Sequence, residues 1–389
     1  MIAVILFWAA WGMIVYSYVL FPIILAAIAN RFGSSPAEPS PLTTEPLPDN
    51  FPKVAMVVAA YNEEAVLTEK LRNTWALDYP ADRFSLVVGS DGSADATATI
   101  LKACHDPRLH AFIFTTRRGK ISVLNEIIGN IGTEIDAEII IMSDANTMFA
   151  KDAIKKLVRH FQNPKVGCVS GEISLEQEGG VSGEGLYWKY EGWIKRNEGK
   201  LGFLIGCNGG IFALRRELYE PLPSSIIIED FVMTMKILEK GWRVEFEPEA
   251  RGVEPPCATS KAEMIRKIRI GAGNFQALTV IPKLLSPRYG LRSFAYWGHK
   301  VLRWFVPFFF LIAVLANILL LQQPFYVALL LLQLSGVAIS LYSYRTRNPR
   351  RLPKWTKPIS YFYIMNYAIL CGFSRHVRGT QKVTWDKAP

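Results

Sequence analysis

Two long stretches of the chain carry no Asp, Glu, Lys or Arg, residues 1–30 and residues 304–344. Between them, from Lys53 to about Ala250, short apolar runs alternate with stretches of mixed polarity. Val54–Ala60, Phe84–Gly89, Leu109–Thr115, Glu138–Met142 and Val166–Ser170 are short and mostly apolar or β-prone, which predicts strands. Glu64–Trp75, Ala94–Ala103, Ile121–Ile128 and Lys151–Phe161 have the spacing and length of helices. Strand and helix in alternation predict an α/β domain, a mainly parallel sheet with helices on both faces. Ligands of such sheets gather at the carboxyl ends of the strands, so the residues that follow each strand are the ones to inspect.

The uncharged stretches predict membrane segments. Residues 1–30 suffice to span about 30 Å of hydrocarbon as a helix. Ala27-Ile28-Ala29 resembles a signal-peptide cleavage site, but the run lacks a basic leader and is too long, which favours an uncleaved anchor. Residues 31–52 form a proline-rich linker ahead of a catalytic-type domain at 53–257. Residues 258–300 mix apolar and basic positions, as helices in the membrane interface do, and as helices packed on a domain also do. Residues 304–344 would make about 60 Å of helix, too long for one crossing, and a break at Gln322-Gln323-Pro324 predicts a transmembrane hairpin over 301–344. In the basic segment 345–389, a shorter apolar run, 358–374, could cross or could dip in and return, and the basic residues on both sides of it favour return.

Charge is informative by position. The net charge is +10, yet from Arg345 onward ten basic residues face only Asp386. The excess therefore lies beside the membrane, where it suits anionic headgroups and a cytosolic face, and nucleic acid is not an expected partner. Five scattered cysteines suit a reducing compartment. The five histidines show no metal-ligand spacing.

The strand ends carry the candidate chemistry. The first empties through Ala60 into Tyr61-Asn62-Glu63-Glu64, the second into Ser90-Asp91-Gly92-Ser93-Ala94-Asp95 and the fourth into Ser143-Asp144-Ala145-Asn146. Turn formation alone would place Asp, Asn and Gly at such points, but three acidic or amide-bearing strand ends form a constellation. No glycine-rich dinucleotide fingerprint or phosphate-binding loop is present. A carboxylate site that binds a nucleotide diphosphate calls for a divalent cation, and Asp144 is the natural ligand.

These motifs, in this order, resemble the membrane-bound inverting glycosyltransferases of family 2, which have the GT-A fold and include cellulose, chitin and hyaluronan synthases. The resemblance runs from Lys53 to about Gln276. It is carried by Val57–Glu64, Ser90–Asp95, Asp144-Ala145-Asn146 at the metal motif and Glu229-Asp230 at the catalytic acidic pair. Arg118-Gly119-Lys120 with Leu124-Asn125, and Gly206-Cys207-Asn208-Gly209-Gly210 before Ala213-Leu214-Arg215-Arg216, agree with it.

The resemblance implies roles. Asp91 would bind the pyrimidine base, with Ala60, Tyr61 and Glu63 lining the nucleoside. Asp144 and Asn146 would hold Mg²⁺ or Mn²⁺. Lys120 and Arg269 would face the leaving diphosphate, although Lys120 could equally belong to a solvated basic face. Asp230, beside Glu229, would be the general base, unless it merely caps the helix that follows. Gly206, Cys207, Asn208 and Gly209 would lie near the acceptor, Cys207 as a structural residue. Two positions depart from the family pattern. Asn146 stands where an aspartate is common, making the site one charge poorer. Arg266-Lys267-Ile268-Arg269-Ile270 stands where processive synthases carry Gln-x-x-Arg-Trp, so the tryptophan that stacks on a growing polymer is missing.

The expectation is a multi-pass inner-membrane glycosyltransferase with a cytosolic catalytic domain. It would move a sugar from a nucleotide sugar, most simply a UDP-sugar, to a lipid-linked or membrane-proximal glycan acceptor in surface polysaccharide synthesis. A processive synthase that couples polymerisation to export is the alternative. A transporter would not explain the acidic strand ends, and an inactive scaffold would not need Asp91, Asp144 and Asp230 together.

Overall fold

A computed structural model describes residues 1–33, 51–175, 183–255, 260–346, 353 and 355–383. The proline-rich linker lies largely outside them. The chain divides into a helical unit (Met1–Asn30, Glu178–Ile194, Cys257–Gln381) and a sheet unit (Arg31–Gln177, Lys195–Pro256, Lys382–Pro389).

Among the described residues the sheet unit holds eight strands: β1 Val54–Ala60, β2 Phe84–Asp91, β3 Leu109–Phe114, β4 Ile139–Ser143, β5 Met148–Phe149, β6 Val166–Leu175, β7 Ile211–Arg215 and β8 Arg243–Glu254. They form one sheet in the order β3-β2-β1-β4-β7-β6-β8-β5. The pairs β1–β2, β2–β3, β1–β4 and β6–β8 are parallel, whereas β7 runs antiparallel to both β4 and β6, and β5 antiparallel to β8. The sheet is thus mostly parallel, as the alternation predicts. The reversal at β7 follows a helix, Gly183–Leu201, and was not among the sequence expectations.

Alternate residues of each strand serve opposite faces. Val54, Met56, Val58, Leu86 and Val88 pack with Leu67 and Leu71 of the helix Glu64–Trp75, Leu101 of Thr97–Ala103 and Ile154, Leu157 and Val158 of Ala153–Val158. The other face receives the helix Lys120–Gly129, which closes on the sheet at Gly89. A Cβ there would lie 2.3 Å from Val123 Cγ1, so only glycine permits this approach.

Among the described residues, three helices are long and apolar enough to cross a membrane: Ile2–Phe32, Leu291–Ile318 and Pro324–Arg345. The last two are separated at the Gln322-Gln323-Pro324 break. The first contains a π-helical turn at Tyr16–Leu20 and the second one at Tyr296–Val301. Phe7, Ala10, Ala313, Ala316 and Tyr326 form a shared apolar contact. Near the two π-turns, Glu191 accepts from His299 Nε2 at 2.7 Å, Lys300 Nζ at 2.6 Å and Arg303 Nη1 at 3.1 Å. Arg303 also donates to the Tyr190 hydroxyl, which in turn donates to the Tyr18 carbonyl.

Thr356–Val377 is one uninterrupted helix, which corrects the dip-and-return path favoured for 358–374. Pro358 falls in its first turn, where a missing N–H costs no intrahelical bond, and no breaker follows until Gly372. That glycine packs against Gly271 and Ala272 of the helix Ser260–Val280.

A polar cluster supports the sheet unit. His160 hydrogen-bonds Glu245 through Nδ1 and Glu247 through Nε2, each at 2.8 Å, and Arg159 and Arg243 pair with the same two carboxylates. Burial alone would depress the imidazole pKa, but bonds to two carboxylates outweigh it and raise the value above the ordinary 6.5. Burial likewise opposes ionisation of Glu245 and Glu247, yet His160 and the arginines hold both below the ordinary 4.5. A raised imidazole pKa gives stabilisation that is complete below the ordinary value and lost as pH rises through the elevated one. The depressed carboxyls give stabilisation that is complete above 4.5 and lost as pH falls through their lowered values. Thermal unfolding should therefore be most resistant between these limits and weaken on the alkaline side. His160→Gln should lower stability by about 3 kcal/mol near neutral pH and flatten the alkaline decline, as melting curves across pH would record.

Candidate active site

The first two strand ends interlock. Asn62 adopts the left-handed conformation at φ 54°, which asparagine tolerates better than most residues. Its amide donates to Ser93 Oγ at 3.1 Å, its side-chain oxygen accepts from Ala94 N at 2.9 Å, and Glu63 N donates to Thr97 Oγ1 at 2.8 Å. Arg117 lies over the Tyr61 ring at 3.9 Å. Asp91 is 4% exposed and accepts from the backbone N–H of Arg118 at 2.6 Å and of Gly119 at 2.8 Å. Its immediate work is to hold the turn that precedes Lys120. The lone pairs left on its two oxygens are what a base could still engage.

Lys120 links the end of the fourth strand to the acidic pair. Its Nζ donates to Asp144 Oδ1 at 2.7 Å and lies 2.6 Å from Glu229 Oε1. Burial would lower its pKa, but the two carboxylates reverse that and raise it. The solvated-face alternative for Lys120 is thereby removed. Glu229 and Asp230 occupy the first turn of the helix Glu229–Glu239, whose N-cap is Ile228, so Asp230 is not the capping residue. The helix starts two residues earlier than the alternative required, because Glu229 and Asp230 themselves favour its positive N-terminal end. Burial pushes the Asp230 carboxyl up to about 6, the negative charge of Glu229 adds to the rise and Lys120 opposes it.

The loop that enters β7 faces this pair. A Cβ on Gly209 would lie 2.7 Å from Asp230 Oδ2, so the absence of a side chain is what lets the backbone approach the carboxylate. Asn208 is fixed from three sides, accepting from Lys195 Nζ at 2.5 Å and donating to the Gly171 carbonyl at 2.6 Å and to Ser170 Oγ at 2.9 Å. Cys207 is buried with its Sγ 3.5 Å from that of Cys168. Gly206, at φ 89°, turns the chain against Phe231.

Lys70, Thr147 and Glu254 escaped the sequence reading, which took Ser143 only as part of a strand end. Lys70 is buried and donates to Ser143 Oγ and to the Thr147 carbonyl, both at 2.6 Å. Thr147 Oγ1 donates to Glu254 at 2.6 Å. Burial draws the Lys70 pKa down to about 7 against the pull of Asp144 and Glu254. The signal available was a lysine at an inward position of the 67, 70, 71, 74 stripe.

Asp144 and Asn146 leave the same strand end and offer only oxygen donors, the chemistry that suits Mg²⁺ or Mn²⁺. Among the described residues no group of three or more His, Cys, Asp and Glu side chains could hold a metal. A cation at Asp144 would draw its remaining ligands from the donor diphosphate and water, a mode natural to Mg²⁺. Arg269 lies on Ser260–Val280 in the helical unit, outside the group of residues that the sheet unit assembles.

Residues 52–273 match the family model described as glycosyltransferase-like family 2. The chain belongs to that family. It is 24% identical over 208 residues to the poly-β-1,6-N-acetyl-D-glucosamine synthase of Staphylococcus aureus (strain COL), covering 51% of this chain and 49% of that protein. It is 26% identical over 260 residues to the β-monoglucosyldiacylglycerol synthase of Synechocystis sp., covering 62% and 52%. The chain thus spans about half the length of these curated relatives. The mannosyltransferase PcManGT from Pyrobaculum calidifontis, solved with GDP-Man and Mn²⁺, superposes with a TM-score of 0.69 at 22% identity, over 96% of this chain and 99% of that one. That likeness establishes a shared fold.

The electrostatics of the acidic pair are directly measurable. Carboxyl ¹³C NMR of the aspartate-labelled protein should show Asp230 titrating near pH 6. Glu229→Gln should move that midpoint down and Lys120→Met should move it up, since the first removes a negative charge that raises it and the second a positive charge that lowers it. An Asp230 midpoint indifferent to both substitutions would contradict the geometry.

Proposed function

We propose that the chain is a metal-dependent inverting glycosyltransferase of the inner membrane. It moves a sugar from a nucleotide sugar, with UDP-sugars the first donors to test, to a lipid-linked or membrane-proximal glycan acceptor. One observation carries the reading, the convergence of Asp144, Lys120, Glu229 and Asp230 at one edge of the sheet, with the Gly209 backbone against Asp230. The apolar helices support membrane residence. The basic residues from Arg345 onward support a cytosolic face for the catalytic domain, where nucleotide sugars are made.

The residues divide the work. Ala60, Tyr61, Glu63 and Asp91 lie along the nucleoside side, and Asp144 with Asn146 on the diphosphate side. Mg²⁺ or Mn²⁺ bound there would neutralise charge on the departing diphosphate. Lys120, already between Asp144 and Glu229, adds a fixed positive charge, and Arg269 adds another if it reaches the donor. Asp230 takes the proton of the acceptor hydroxyl. The acceptor oxygen bonds the anomeric carbon as the bond to the diphosphate oxygen breaks on the opposite side, which inverts the configuration. A carboxyl with a pKa of about 6 is a far better proton acceptor than an ordinary aspartate and is still ionised at neutral pH. Gly206, Cys207, Asn208 and Gly209 form the acceptor-side wall.

The second reading, a processive synthase, draws on the likeness to a polysaccharide synthase. Ile270, at the position where the processive motif has tryptophan, offers no stacking platform and favours single addition. The test is nucleoside diphosphate release by detergent-purified protein across a panel of nucleotide sugars, with Mg²⁺, Mn²⁺ or chelator. Release should occur with one donor class, vanish with chelator, fall on the acid side of about pH 6, and drop by roughly 10²-fold or more in Asp230→Asn. Full activity in chelator, or in the mutant, would overturn the reading.

A further inference from the structure

Lys70 is 1% exposed, and its ammonium spans the two ends of the loop that carries Asp144 and Asn146, bonding Ser143 Oγ and the Thr147 carbonyl at 2.6 Å each. A leucine or methionine would fill the same volume but would leave the Ser143 hydroxyl and the Thr147 carbonyl without this partner, so what the lysine supplies here is two bonds rather than bulk. Packing therefore does not account for a lysine here. Its location does. Three residues on, Asn73 takes both backbone groups of Phe149, its Nδ2 donating to the carbonyl and its Oδ1 accepting from the N–H, each at 2.9 Å. The helix Glu64–Trp75 thus grips the segment 143–149 at both ends, and it begins directly after Glu63 of the nucleoside loop. From Glu64 to Lys70 the helix rises about 9 Å. One rigid element carries the nucleoside loop at its start and props the diphosphate loop farther along.

We propose that Lys70 is a positioning residue for the donor. Its ammonium fixes the loop 143–147 so that Asp144 presents its carboxylate to the donor diphosphate and the accompanying cation. The helix Glu64–Trp75 thereby sets the span between the two halves of the nucleotide. The inference rests on the proposed role of Asp144 at the diphosphate. Asn146 sharpens the demand, because with a single carboxylate in the motif the direction of that one side chain matters more.

The test measures binding of UDP and GDP to the full-length protein in detergent by calorimetry, with Mn²⁺ and with EDTA. Lys70→Met should weaken Mn²⁺-supported nucleoside diphosphate binding by about 10-fold or more, the range seen when groups that orient a metal ligand are lost. Binding in EDTA, which relies on the nucleoside side, should not change, while the melting temperature should fall, because Ser143 and the Thr147 carbonyl lose a buried partner. Ser143→Ala removes one of the two bonds and should act in the same direction by about threefold. It carries the test if Lys70→Met does not fold. Equal weakening with and without Mn²⁺, or no weakening in either variant, would overturn the inference. Asp144→Asn separates the two claims. If it leaves Mn²⁺-supported binding intact, the underlying role of Asp144 falls. If it abolishes that binding while Lys70→Met and Ser143→Ala do not, only the positioning role falls.

Discussion

Lys120 is shared between two carboxylates, at 2.7 Å from Asp144 and 2.6 Å from Glu229, and these ion pairs organise the acidic edge of the sheet. Without them, three acidic side chains would converge in a poorly solvated corner, and their mutual repulsion would push the loops apart or force protonation. The lysine is placed by the turn at Gly119, and that turn is held by Asp91. The end of β2 therefore acts on the end of β4 through two short hydrogen bonds and one cation. The same arrangement raises Asp230 while keeping it ionisable, because Lys120 offsets part of what burial and Glu229 impose.

Most of the parallel half of the sheet was legible in the sequence because β1, β2 and β4 are buried on both faces and read as continuous apolar runs. Val54–Ala60 is recovered at both ends, and β2 and β4 differ only at their termini. The strands that escaped notice had physical reasons to do so. β5 is two residues long, and β8 alternates Glu and Arg with apolar positions, a pattern that follows from its lying beside the Arg159 and His160 cluster. β7 is short and sits behind a loop whose glycines look like punctuation.

The acidic residues of the site could be recognised because each follows a strand or opens a helix, where side-chain identity is set by chemistry. Lys70 could not, because within a helix its charge contradicts the stripe it belongs to, and sequence pattern alone gives no partner for it. Asp91 shows a different limit. Its type and position were evident, but its bonds to the backbone of Arg118 and Gly119 depend on two segments that are distant in sequence.

The reversed strand has a consequence for how such an enzyme can diversify. β7 runs antiparallel to β4, so the loop leaving one and the loop entering the other meet at the same edge, one strand spacing apart. The two loops nevertheless come from different parts of the chain, 144–147 and 206–210, and are held by different struts, Lys70 for the first and Lys195 for the second. Under the proposed division of work, sequence change at the entrance to β7 would alter which molecule accepts the sugar without disturbing the loop assigned to the donor, provided position 209 stays glycine. The two assignments could then drift independently within one lineage.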